Sequence, residues 1–329
     1  MADNIFTSLN IADDVVTNVP NRVTYGMWSS GAGELTTFYT SSEATASADN
    51  TGKYYFDVRK DGISGSSQVE FSLAYGHRAN SGSNSTDRDK PYEAIYNQYR
   101  GLLLETKNGR FTLADDMTLD DIFVINFSRA NLKEKLDAGN WELKIGSNTY
   151  IDDSGDKNDT QLTALGEVFN IVEGTIAAGP DAGTDYFGLA YLDYGVLILR
   201  PEGIRATSSL DANFDTGSDA IGMSQNVQAL YNGIVAGASF TARSEELISS
   251  AHYFIRIKNK NYNYSSNPTF YSASDGTLLY DDFASNPKTF ITSVGLYNDN
   301  NEMMAVAKLS QPVEKSFDKE SLIKIRLDF

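Results

Sequence analysis

Two histidines, one run of aspartates and nineteen tyrosines are the residues of this 329-residue chain that invite a chemical reading. His77 stands in Tyr75-Gly-His77-Arg78, after a strand pattern and before a polar loop. An imidazole placed there could serve as a general base; the plainer reading is a strand-end histidine at a polar junction. His252 opens a strand after Ser249-Ser-Ala. The residue types of a hydrolytic triad are present, but no spacing assembles them. The segment Asp152-Asp-Ser-Gly-Asp-Lys-Asn-Asp159 offers hard oxygen ligands of the kind Ca2+ takes, with Asp152, Asp153, Asp156 and Asp159 as candidate ligands. Lys157 stands where an EF-hand needs glycine, and no glutamate closes the loop, so a solvated turn is the competing reading. Tyrosines cluster at Tyr92, Tyr96 and Tyr99, at Tyr186, Tyr191 and Tyr194, and at Tyr262 and Tyr264. Tyrosine buries a large ring and keeps a polar handle, which suits an interface. It also suits an ordinary strand.

Other chemistries are excluded by what the chain lacks. There is no cysteine, hence no disulfide, thiolate nucleophile or cysteine-held metal. Two histidines cannot build a three-histidine centre within one chain. Phosphate-loop, zinc-protease, nucleophile-elbow and dinucleotide fingerprints are all missing. A carboxylate pair for glycoside cleavage cannot be singled out among 44 acidic residues. No cofactor is expected. The net charge of −17, from 27 basic and 44 acidic residues, argues against sequence-independent binding to nucleic acid or an anionic membrane. The start, Met1-Ala-Asp-Asn-Ile-Phe, has neither a basic nor an apolar region of a secretion signal, and no apolar run is long enough to cross a bilayer. A soluble protein made in a cytoplasm is expected. The glycosylation-like triplets at Asn84, Asn126, Asn158 and Asn263 then read as chance matches.

These residues must be positioned mostly by strands. Val69, Phe71, Leu73 and Tyr75 alternate with Glu70, Ser72 and Ala74, the period of a half-buried strand. Apolar runs at 122–127 and 195–199 read as buried strands, and 141–145, 168–176 and 252–258 as further ones. Val19-Pro20 ends whatever precedes it. Ile95, Tyr99 and Leu102 or Leu103 recur at helical spacing behind Pro91, which predicts a helix over 91–104. Gln225–Ile234 reads as a second, short one. Asn298-Asp-Asn-Asn301 reads as a hairpin loop between 290–297 and 303–309. In the closing strand Ile323, Ile325, Leu327 and Phe329 share one face, and Lys324, Arg326 and Asp328 the other. The fold class expected is mainly β (α+β), with antiparallel, sandwich-like sheets and a few short helices. Three regions are expected: a β-rich domain with one helix over 1–200, a loop or linker over 201–240, Gly/Asp/Ser/Ala-rich in 201–224, and a C-terminal β domain over 241–329.

The C-terminal phrases Thr289-Phe-Ile-Thr-Ser-Val-Gly-Leu-Tyr-Asn-Asp299, Met303-Met-Ala-Val-Ala-Lys-Leu-Ser-Gln-Pro312 and Leu322-Ile-Lys-Ile-Arg-Leu-Asp-Phe329 resemble the ends of virion structural proteins of T-even-type contractile-tailed phages, especially cyanophages. FSLAYGHRANSGS (71–83), AIYNQYR (94–100), AGNWEL (138–143), the run 186–199 and YNYSSNPTF (262–270) are similar to the same group. The closing layout also resembles the end of the baseplate wedge protein that forms a β-rich dimer. The resemblance implies a non-enzymatic virion protein, a baseplate wedge-type component assembled in the host cytoplasm with other tail subunits, as a homo-oligomer (dimer) or in several copies. No catalytic residue carries over. Neck or tail-fibre attachment, or carbohydrate recognition of a receptor, is the alternative; the last would use tryptophan or tyrosine platforms, and the chain has only Trp28 and Trp141. Interface candidates are Tyr92, Tyr96, Tyr99, Tyr262, Tyr264, Ile323, Ile325, Leu327 and Phe329. The acidic charge leads one to expect neighbours with basic patches.

Overall fold

Apolar runs that lack alternation need cover on both faces, and the computed structural model supplies it. It describes residues 6–40, 55–62, 67–79, 90–104, 106, 108–154, 161–163, 166–181, 183, 185–208, 225–265, 268–272 and 274–328. The chain is mainly β, with antiparallel sheets and a few short helices. It divides into two units: Arg22–Glu246, and a discontinuous one made of Met1–Asn21 with Leu247–Phe329.

The larger unit is built on one curled, half-barrel sheet. Its central strands run in the order Gly166–Thr175, Gly188–Tyr191, Val196–Leu199, Asp121–Phe127, Val69–His77 and Tyr55–Arg59, every pairing antiparallel. Alternate side chains of each central strand enter different cores. Phe123, Ile125 and Phe127 join one that includes Trp28, Phe71 and Phe240; Ile122 and Val124 join another that includes Tyr96 and Phe111. The 69–75 segment, read as half-buried, is covered on both sides: its polar-side residues Glu70 and Ala74 are buried as fully as Phe71 and Leu73. Glu70 survives there because the backbone N–H of Ser29 donates to it at 2.9 Å, Asn131 Nδ2 donates at 2.7 Å, and Ser29 Oγ donates as well.

The expected helix is present as Pro91–Leu103, with the proline in its first turn. It packs Ile95, Tyr96, Tyr99 and Leu103 into the second core. It also approaches the sheet so closely that a Cβ on Gly76 would lie 2.8 Å from the Tyr96 backbone nitrogen. The expected linker is corrected. Pro201–Ser208 and Gln225–Gly237 are helices that put Ile204, Val227, Leu230 and Ile234 into the first core, and residues 240–246 belong to the same unit. Burial of those four aliphatic side chains outweighs the loop-like composition around them. Residues 209–224 lie outside the described residues.

In the smaller unit, Ser321–Asp328 pairs antiparallel with residues 250–257, placing Ile323 opposite Ile255 and Ile325 opposite Tyr253. Thr289–Tyr297 and Met303–Lys315 form a long hairpin around the expected Asn298–Asn301 loop. Asn298 Oδ1 accepts from the backbone N–H groups of Asn300 and Glu302, at 3.0 and 2.8 Å, and Asn301 takes φ 62°. Ile257, Ile323 and Ile325 make a small core, joined by Tyr253, Ile291, Val294, Ala307, Leu309 and Leu327. Pro20 does not break the chain: the strand Val15–Gly26 runs through it. That strand stands at a sheet edge, where a missing N–H is tolerated.

Candidate functional site

The acidic segment is held by its own backbone surroundings. Asp152 ends the strand Asn148–Asp152, and its carboxylate accepts from Gly139 N–H at 3.0 Å and Ser154 N–H at 3.1 Å. Asp153 accepts from the backbone N–H and the Nδ2 of Asn170, at 2.9 and 2.8 Å. Both carboxyls are buried, and burial raises them above the ordinary carboxylate range, Asp153 to about 6. The Asp152 oxygens fasten the sheet to the turn at Gly139, which has φ 71°, and those of Asp153 fasten it to Asn170 of the strand Gly166–Thr175. Asp156 and Asp159 lie outside the described residues. Among the described residues no three acidic, histidine or cysteine side chains gather where a metal ion could bind.

The two histidines sit in different units. His77 Nδ1 accepts from the Ala79 backbone N–H at 3.0 Å, and burial lowers its imidazole below the usual range. Across the strand pair from His77 stands Asp121, which the sequence reading did not single out. Burial, and then the negative charge of Glu202, push its carboxyl up to about 7, and Tyr75 Oη donates to it at 3.5 Å. An acid among apolar strands leaves no periodic signal; its burial in the fold, and then the placement of Glu202 by the Pro201–Ser208 helix, set it apart.

The first tyrosine cluster is corrected from interface to core. Tyr92, Tyr96 and Tyr99 are all buried. Tyr92 stacks edge-on against Tyr75 with ring centroids 4.9 Å apart, and Tyr96 Oη donates to the Leu119 carbonyl at 2.8 Å. Burial pushes the Tyr99 hydroxyl up to about 12. The hydroxyls of Tyr96 and Tyr99 reach Leu119 and Asn126 inside the fold, so the polar handle serves packing instead of a surface. Trp28 and Trp141 are likewise buried and present no ring to a ligand.

The remaining interface candidates fall in the smaller unit, and they split. Ile323 and Ile325 are consumed by its own core, and Leu327 packs beside them, so the expectation of an apolar interface face on this strand is corrected. Phe329 lies outside the described residues. Tyr262 is half-buried at φ 57°; its hydroxyl bonds Thr7 Oγ1 at 2.6 Å and its carbonyl accepts from Thr289 Oγ1 at 2.8 Å. Tyr264 is exposed.

What the sequence reading missed is the outer face of the hairpin. Val294, Leu296, Ala305 and Ala307 lie on the half-covered side, whereas Phe290, Tyr297, Met303, Met304 and Val306 face solvent, Met304 at 70% exposure and Val306 at 66%. Tyr297 meets Phe6 edge-on at 5.0 Å. Leu278, Leu279, Tyr280, Phe317 and Leu322 are exposed in the same unit. Among the described residues, fifteen of the twenty-two exposed large apolar side chains belong to this unit, which fully buries only four hydrophobic ones. An imbalance of that size makes this apolar surface the candidate interaction site. The signal available in the sequence was the pair Met303-Met304 and a hairpin apolar on both alternations.

The described helices include none long and apolar enough to cross a membrane. Comparison with protein families, with curated proteins and with solved structures finds no match.

Proposed function

We propose that this chain is a non-enzymatic structural protein of a contractile-tailed phage virion, a baseplate wedge-type component that acts by assembling with other tail subunits, in several copies or as a dimer. The observation that carries the reading is the uncovered apolar surface of the smaller unit, with Phe290, Tyr297, Met303, Met304 and Val306 all exposed on one hairpin. A small unit whose exposed large apolar side chains far outnumber its buried ones behaves like part of a larger assembly. The phrases resembling T-even-type virion proteins supply the kind of assembly. Burial of both tryptophans favours this over the carbohydrate-binding alternative, which needs exposed aromatic platforms.

The test is to locate an epitope-tagged chain in purified tails by cryo-electron microscopy. The expected result is density at a fixed position in the baseplate, with at least about 2,000 Å2 of surface buried per obligate contact. Absence of the chain from purified particles, or binding or cleavage of host polysaccharide by the purified protein, would overturn the reading.

A further inference from the structure

We propose that the outer edge of the Ser321–Asp328 strand receives, by β-strand addition, an extended partner segment whose side chains alternate between acidic and apolar. This rests on the assembly reading for there being a partner chain, and adds where and by what chemistry that chain is held.

Three observations converge on this strand. Among the described residues it is paired on one side only, with residues 250–257, so a row of backbone N–H and C=O groups faces outward along its other edge. Its two faces differ in kind. Inward, Ile323 and Ile325 are buried and Leu327 partly so, and they continue the row of Ala251, Tyr253 and Ile255 on the neighbouring strand. Outward, Leu322, Lys324, Arg326 and Asp328 are exposed and lie opposite Arg256, Phe254, His252 and Ser250. This outer face is cationic at its centre. Lys324 Nζ stands 5.6 Å from the centroid of the Phe254 ring, and among the described residues no carboxylate pairs with it. The acidic groups nearby are held by other cations: Asp328 accepts from Arg326 Nε at 2.6 Å and from Ser250 Oγ at 2.6 Å, and Glu320 pairs with Arg256 at 3.0 Å.

The distribution of charge gives the partner its sign. Of the net −17, Arg22–Glu246 carries −14 (18 basic and 32 acidic residues), and the smaller unit −3 (9 basic and 12 acidic). With screening over about 8 Å at physiological ionic strength, an incoming strand responds chiefly to the charges of the edge it joins. An added strand places alternate side chains on the two faces of the sheet. Apolar residues at every second position would extend the Ile323–Ile325–Leu327 row, and acidic residues between them would meet Lys324, which no carboxylate pairs among the described residues, and compete with Asp328 for Arg326.

The experiment uses the full chain and three labelled eight-residue peptides with blocked ends: alternating glutamate and valine, the same composition with the glutamates grouped, and alternating lysine and valine. Affinity is read by fluorescence anisotropy and the contact by amide hydrogen exchange. The alternating glutamate–valine peptide is expected to bind, to slow exchange within 321–328, and to lose at least tenfold in affinity against the K324E/R326E variant; the other two peptides are expected to bind at least tenfold more weakly. Equal binding of the grouped peptide, unchanged exchange in 321–328, or full affinity in K324E/R326E would overturn the proposal. So would self-association of K324Q/R326Q with undiminished peptide affinity, because the two cations would then serve only to keep the edge unpaired. Failure of the peptide with the chain present in purified tails removes this inference and leaves the assembly reading standing. Specific peptide binding by a chain absent from tails supports the edge and removes that reading instead.

Discussion

Replacing Asp121 by asparagine should stabilise the larger unit, and only above mildly acidic pH. Asp121 begins the strand Asp121–Phe127, lies opposite His77, and is pressed by Glu202 and Asp120 while burial withholds water. Its carboxyl stands at about 7 in the folded chain against an ordinary 3.8. The folded state therefore holds the proton more tightly than the unfolded state. Stability is complete below the unfolded value and is lost as pH rises from about 4 to about 7. Roughly three pH units at 1.36 kcal/mol each amount to about 4 kcal/mol, and partial solvent screening brings the expectation to roughly 2–4 kcal/mol. Asparagine keeps the shape and cannot ionise. Asp121→Asn should thus match the wild type to within about 0.5 kcal/mol near pH 4 and exceed it by roughly 2–4 kcal/mol at pH 8. Urea unfolding followed by tryptophan fluorescence is the assay, because Trp28 and Trp141 both lie in this unit's core and report on it alone. A variant whose advantage did not grow between pH 4 and pH 8 would refute the reasoning.

Gly188→Ala should cost about 1–3 kcal/mol or prevent folding, since its Cβ would lie 2.1 Å from the Ile198 carbonyl oxygen; the same fluorescence titration reads it. Glu70→Ala strands the Ser29 and Asn131 donors in the core and should cost about 2–4 kcal/mol, while Glu70→Gln retains acceptance through its carbonyl and should cost less; equal losses would contradict the network. Met304→Lys combined with Val306→Lys changes exposed positions and should shift stability by no more than about 1 kcal/mol; on the proposed assembly role it should also sharply reduce incorporation into tails in a complementation assay. Normal incorporation would show that the hairpin face is not the one covered on assembly.

Legibility in the sequence followed how local the cause was. The Pro91–Leu103 helix, the Asn298–Asn301 loop and the alternation of Ile323 with Lys324 depend on neighbours a few residues away, and each stands where its pattern indicates. Glu70 misled because its partners Ser29 and Asn131 are about forty and sixty residues distant, and without them its polar face reads as solvent-facing. Tyr96 misled for the same reason: its hydroxyl is satisfied by the carbonyl of Leu119, beyond the end of its own helix. The helices at 201–208 and 225–237 gain their stability from Ile204, Leu230 and Ile234 entering a shared core, which composition does not record. The surface with the strongest claim to function was hidden by the same logic. Ile323 and Ile325 looked available until their partners in residues 250–257 were placed, and the exposed face passed to the hairpin.

The split make-up of the smaller unit sets a timetable. Its first segment leaves the ribosome before the 225 residues of Arg22–Glu246, and its second only after them. The larger unit, continuous in sequence, can fold while synthesis proceeds. Held open as a coil, a loop of that length opposes closure by an entropic cost that a folded intervening unit largely removes. The hairpin bearing Met303, Met304 and Val306 is therefore made only after the whole of the larger unit has been synthesised. Chain order by itself thus delays that exposed apolar face until the larger unit is available to fold.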